Sequence, residues 1–237
     1  MKNEKIKAIL FDLDNTLLNI DENGFNNAFA QELANEAAHL ISREVFIKQW
    51  YAAVYETIKN EDKRINLDKF WNYFCDLVNI SRDTIEPILV NNYKNKFEGL
   101  KRFVTKKEEA RKVIQLAFDL GLDVIIATNP IYLEVGMKIR LKWADIIDFP
   151  YRLITHIENS CYCKPSLKYY EEIFEKIGHP AKDCLMIGDL NGDMVAANLG
   201  CSTFLIQNSY IKLDSNIPKP TYRGTLVDLI KLLKNWK

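Results

Sequence analysis

Long apolar runs are missing from this chain. No segment approaches the ~18 uninterrupted apolar residues that a bilayer-crossing helix needs. The first apolar run, Ile6 to Phe11, is cut by Asp12 well short of a secretory core. The expectation is a soluble, cytoplasmic protein with no membrane partner. An excess of charge is missing too: 32 Lys and Arg balance 32 Asp and Glu, and without a basic block nucleic acid is not an expected partner. The three histidines, His39, His156 and His179, are scattered, so no histidine metal centre is indicated. Five cysteines are an odd number without CxxC spacing. Cys161 and Cys163 lack a second pair, and all five read as ordinary thiols in a reducing compartment. Neither GxGxxG nor GxxxxGK[ST] occurs, which disfavours dinucleotide and P-loop sites. Internal repeats and low-complexity tracts are also missing.

What is present is material for a substantial core: 48% of 237 residues are hydrophobic, enough for one large domain or a domain with a sizeable insertion. Four short runs, Ile6 to Phe11, Leu122 to Ala127, Cys184 to Ile187 and Thr203 to Ile206, are apolar but for Lys7, Asp123 and Thr203. That is the pattern of parallel strands covered on both faces. Helical patterns lie between them. Thr105 to Glu108 has the form of a capping box, followed by Ala110, Val113, Ile114 and Ala117, with Gly121 placed to end the helix. Pro165 is placed to open a helix through Tyr169, Tyr170, Ile173, Phe174 and Ile177, closed by Gly178. Further helices are expected over Asn191 to Leu199 and Thr225 to Leu233, and a loop over Asn208 to Pro220. The alternation predicts a doubly wound α/β domain over residues 1–18 and 101–237.

Residues 19–100 break the alternation with four helical stripes: Phe25, Phe29, Leu33, Ala37; Val45, Trp50, Val54, Ile58; Phe70, Phe74, Leu77, Val78; and Ile85, Leu89, Tyr93, Phe97. These predict an all-helical insertion after the first strand, its aromatics forming a bundle core rather than a ligand pocket. The segment Leu17 to Asn26 is a candidate moving flap, with Gly24 as its source of freedom. Arg43 and Arg64 are either surface charges or contacts to an anionic substrate.

In open α/β sheets ligands bind beyond the carboxyl ends of the strands. Asp12 and Asp14 follow the first run, Thr128 and Asn129 the second, and Asp189 the third, with Asp193 one helical turn on; Lys164 precedes another helix. Clustered carboxylates raise each other's pKa values unless a cation sits among them. A hard divalent ion such as Mg2+ suits them, since it takes one or two carboxylates together with water and substrate phosphate. A hydroxyl, backbone N–H groups and an ammonium suit the remaining phosphate oxygens. The combination describes a phosphoryl-transfer site.

DLDNT at Asp12 to Thr16, ATN at Ala127 to Asn129, KP at Lys164 and Pro165, and GDLNGD at Gly188 to Asp193 resemble the four ordered motifs of the haloacid dehalogenase (HAD) superfamily. Any one of them is common; four in order at successive strand ends are specific. The resemblance implies a Rossmann-like core with residues 19–100 as a helical cap of the first type. It implies that Asp12 is the nucleophile and Asp14 the general acid and base. Mg2+ would be held by Asp12, the Asp14 carbonyl and Asp189, and Asp193 would act through water or by orienting Lys164. Thr128, Asn129 and Lys164 would bind phosphate. The activity implied is a phosphatase acting on a small phosphorylated metabolite through an aspartyl-phosphate. A phosphomutase or phosphotransferase is the alternative, and a non-catalytic metal- or partner-binding module a third reading. A dehalogenase is disfavoured because halide-displacing members lack the acid at the position of Asp14. Specificity is expected in the cap.

Overall fold

The computed structural model describes residues 6–207 and 213–236. The chain runs through β1 (Ala8–Phe11), β2 (Leu18–Ile20), α1 (Glu22–Glu36), α2 (Arg43–Lys59), α3 (Asn66–Val78), α4 (Arg82–Asn95) and β3 (Val104–Lys106). It continues through α5 (Ala110–Asp119), β4 (Asp123–Ile126), α6 (Glu134–Trp143), β5 (Leu153–Ile154), α7 (Leu167–Ile177) and β6 (Cys184–Gly188). The last elements are α8 (Asn191–Met194), β7 (Ser202–Ile206), β8 (Tyr222–Gly224) and α9 (Leu226–Lys234). Six strands form one parallel sheet in the order β5-β4-β1-β6-β7-β8. No helix among the described residues is long and apolar enough to cross a membrane.

The four expected strands are the four central ones, and apart from Asp123 at the start of β4 and Ser202 and Thr203 at the start of β7 they carry no polar side chain, because both faces are covered. Ile9 and Phe11 point into one core with Val124, Ile126, Leu185 and Ile187. Ala8 and Leu10 point into the other with Ile125, Met186 and the α7 residues Tyr169, Tyr170 and Ile173. This is the period-two alternation of a strand applied to two apolar faces. The edge strands β5 and β8, two and three residues long, were too short to register as apolar runs.

Several boundaries differ from the sequence reading. Thr105 lies in β3, opposite Asn19 of β2, so the antiparallel pair takes the backbone that a capping box would have used. Helix α5 begins beyond it, with Glu109 at the cap position and no side-chain cap. Pro165 precedes α7 rather than opening it: Ser166 is the N-cap, its hydroxyl accepting from the Lys168 N–H. The helix expected from Asn191 ends as α8 at Met194 and continues as a 3-10 turn to Leu199. Gly121, Gly178 and Gly200 all adopt positive φ after their helices, as the stop signals required. The terminal helix is capped at its N-terminus by reciprocal bonds between Thr225 and Asp228. Of the loop expected over Asn208 to Pro220, residues 208–212 lie outside the described residues; residues 213–220 form no strand or helix.

Four helices do lie between β2 and β3, and their aromatics pack as a core. Phe29 meets Trp50, Tyr93 and Phe97 edge-on or nearly so, and Phe70 stacks on Phe74. The second stripe keeps only Trp50: α2 buries Phe46, Trp50, Ala53 and Thr57, neighbours of the expected Val45, Val54 and Ile58, and leaves Val45 exposed. On α3, Leu77 is exposed while Asn66 and Lys69 are buried. The backbone N–H groups of Asn66 and Leu67 bond the Ser160 and Ile157 carbonyls, and the Lys69 ammonium bonds the Asn60 and Cys161 carbonyls, so this face meets a loop of polar backbone. Gly24 is not a hinge. It sits in the first turn of α1, where a Cβ would lie 2.4 Å from the Asp21 carboxylate and 2.7 Å from the Phe103 ring. Close approach, not freedom, requires glycine there.

Candidate active site

The three central strands end level. The Asp12 N–H donates to the Ile187 carbonyl at 2.8 Å and the Ala127 N–H to the Phe11 carbonyl at 2.7 Å. Residues that follow β1, β4 and β6 therefore emerge at one edge, and a cleft of about 610 Å³ opens there. Asp12, Asp14, Thr128, Asn129, Lys164 and Asp193 line it. Asp189 lies with them: one carboxylate oxygen each from Asp12, Asp189 and Asp193 falls within 4.8 Å of the others.

Lys164 organises this cluster. Its ammonium donates to Asp12 Oδ1 at 2.8 Å and to Asp193 Oδ1 at 2.6 Å. Burial works against the Lys164 charge, but Asp12 and Asp193 outweigh it and hold the ammonium well above its usual pKa. The second Asp193 oxygen accepts from the N–H groups of Asp189 and Leu190, so Asp193 is fully engaged in holding the loop and Lys164. Gly188 makes this possible: a Cβ there would sit 2.1 Å from Asp193 Cγ. Gly188→Ala is expected to cost about 1–3 kcal/mol of stability through overpacking, measured as a lower urea midpoint.

Asp189 is the opposite case. It is 1% exposed, and neither carboxylate oxygen has a hydrogen-bond partner among the described residues. Burial, then the charges of Asp12 and Asp193, push it up to about 8. Asp12 is pushed up to about 7, chiefly by burial and against the pull of Lys164. Two buried acids with elevated pKa values, one wholly unpartnered, form an oxygen donor set that fits a hard divalent cation.

The other expected residues take distinct places. Thr128 lines the cleft, its carbonyl accepting from the Thr155 and Tyr169 hydroxyls at 2.7 and 2.8 Å. The Asn129 side chain accepts from the Lys164 N–H at 3.2 Å, tying the two loops together. Asp14 departs from the cluster: its carboxylate pairs with Arg140 of α6. Arg43 and Arg64 instead bond Gln31 and Asp62, and neither lines the cleft.

Arg140 and Tyr132 were not singled out in the sequence. Arg140 stands at a core position of its helix with Met137, Leu141 and Ala144, all fully buried, and a charged residue on that apolar face was the available signal. Tyr132 lines the cleft and donates to Asn26 Oδ1 at 2.6 Å.

Buried carboxylates gathered around a lysine thus lie at the carboxyl edge of a doubly wound sheet, where ligands of open α/β proteins bind. The chain belongs to the haloacid dehalogenase-like hydrolase family, whose model matches residues 6–200. Among curated proteins no sequence match is found. Similar solved structures include a HAD phosphatase from Thermococcus onnurineus, at 20% identity and a TM-score of 0.59, covering 96% of this chain and 97% of that one. The L-2-haloacid dehalogenase from Xanthobacter autotrophicus with chloropropionic acid covalently bound is similar at 14% identity and a TM-score of 0.60, covering 97% and 98%. A hydrolase from Pseudomonas syringae is similar at 17% identity and a TM-score of 0.57, with the same coverages. At these identities the likeness is one of fold.

Proposed function

We propose that the protein is a Mg2+-dependent phosphatase of small phosphomonoesters, working through an aspartyl-phosphate. The observation that carries this reading is the division of labour among the acids: Asp12 is held by Lys164, Asp189 is unpartnered, and Asp14 is turned to a partner of its own. A nucleophile, a cation ligand and a proton carrier need three such environments.

An Asp12 oxygen attacks phosphorus while the bond to the leaving oxygen breaks, and Asp14 supplies that oxygen with a proton. Water then attacks phosphorus, Asp14 takes its proton, and the bond to Asp12 breaks, regenerating the carboxylate. Mg2+, held by Asp12, Asp189 and the Asp14 carbonyl, would offset the repulsion between an anionic nucleophile and an anionic phosphate. Lys164 and Thr128 bind phosphate oxygens, and Asp193 keeps Lys164 in place. Helices α1 to α4, within residues 19–100, act as the cap that admits substrate and excludes water. Five free cysteines suit a reducing cytoplasm.

Displacement of halide from a haloacid is the competing reaction. Asp14, which lines the cleft, favours the phosphatase, since a departing alkoxide needs a proton from an acid whereas a departing halide needs none. The test is phosphate release from a panel of phosphomonoesters, with Mg2+ and with EDTA, beside halide release from 2-haloacids. Metal-dependent phosphate release supports the proposal; halide release alone sinks it.

A further inference from the structure

We propose that Arg140 is a positioning residue that aims Asp14 at the leaving-group oxygen; this rests on the phosphatase reading above. Arg140 is fully buried on a helix that follows the Thr128 and Asn129 loop. Its guanidinium donates to Asp14 Oδ1, with Cζ 4.7 Å from the centre of the Tyr132 ring and 5.8 Å from that of Phe25. The remaining contacts are weak: Nη1 faces Met137 Sδ at 3.6 Å, and Nε has no partner. A buried guanidinium favours an acid beside it, and among the described residues Asp14 is the one it bonds; the charge on Arg140 matches the carboxylate that Asp14 becomes once its proton has passed to the leaving oxygen.

The consequence falls on Asp14. One of its oxygens is fixed by a guanidinium that two aromatic rings hold in place, while its side chain keeps 24% exposure and lines the cleft. The second oxygen is left to exchange a proton with the substrate. Nothing else among the described residues fixes that carboxylate. Glu22, which shares the mouth of the cleft, is bonded by Asn15 at 3.1 Å, and Lys164 is committed to Asp12 and Asp193. The aromatic walls also tie this anchor to α1, which carries Phe25, and to Asn26 through the Tyr132 hydroxyl. The proton carrier is thus registered to the first turns of the helical segment.

The experiment compares two leaving groups. An alkyl phosphate needs its leaving oxygen protonated, whereas 4-nitrophenyl phosphate expels a stable phenolate that does not. In Arg140→Met, alkyl phosphate turnover should fall about 100-fold, the lower end for loss of a general acid. The nitrophenolate burst, which reports the first step alone, should fall far less. Arg140→Lys keeps the charge but lacks the planar fork, and should recover part of the alkyl turnover. Adding Arg140→Met to Asp14→Asn should cause little further loss, because the two act on one proton transfer. Equal losses on both substrates, or full additivity with Asp14→Asn, would overturn the assignment. Should Arg140→Met fail to fold, the same ratio read in Arg140→Lys decides. Wild-type protein inactive on both esters would instead defeat the phosphatase reading, and this inference with it.

Discussion

Asp12→Asn should abolish phosphate release, by at least about 10⁴-fold, as expected when the attacking group of a covalent mechanism is removed. The amide is nearly isosteric, and its oxygen can still accept from Lys164, which now donates to Asp12 at 2.8 Å. The fold should therefore survive. Stability should be maintained or raised in metal-free protein at neutral pH and above, because a buried carboxylate whose pKa stands at about 7, chiefly through burial, is replaced by a neutral group. Loss of turnover with an unchanged or higher melting temperature is the expected pair of results. Substantial turnover in this variant would mean that another group attacks phosphorus. A collapsed melting temperature would mean that Asp12 is there to hold Lys164.

How much of this was legible in the sequence depended on length and locality. The central strands stood out because three or four consecutive apolar residues between helical patterns admit few alternatives, and the acids stood out because they follow those strands directly. The β2 and β3 pair was not legible. Its partners Leu18–Ile20 and Val104–Lys106 are 3 residues each and flank the whole helical segment, so nothing local links them. That pairing in turn misled the reading of Thr105 as a cap. The stripe on α2 slipped because Val45 and Phe46 are both apolar, and only the neighbouring helices decide which one faces inward. Arg140 was hidden for a related reason. Its partner Asp14 lies 126 residues away, and a lysine or arginine in an amphipathic helix ordinarily belongs to the solvated face. Local chemistry marked where the acids are; long-range packing determines which of them is held, and by what.

The acids also make metal binding and stability depend on pH in a direction that can be worked out. In metal-free protein Asp189 stands at about 8 and Asp12 at about 7, against an unfolded carboxyl at roughly 4. Below pH ~4 both states carry the protons and the groups contribute no pH dependence. Between pH ~4 and ~8 the folded protein binds protons that the unfolded chain has released, so its stability falls as pH rises. A divalent cation reverses this by replacing the protons, and its affinity should rise over the same window. Metal-free protein is therefore expected to melt at progressively lower temperature from pH 5 to pH 8.5. Saturating Mg2+ should raise the melting temperature more at pH 8.5 than at pH 6. Titration calorimetry at pH 7 in buffers of different ionisation enthalpy should detect net proton release on binding. Asp189→Asn supplies the control: with one of the two carboxylates removed, it should reduce the pH dependence of the metal-free protein and weaken Mg2+ binding. A Mg2+ shift that is the same at both pH values, or undiminished in Asp189→Asn, would place the cation away from Asp12 and Asp189 and leave their buried carboxylates without the partner that their surroundings demand.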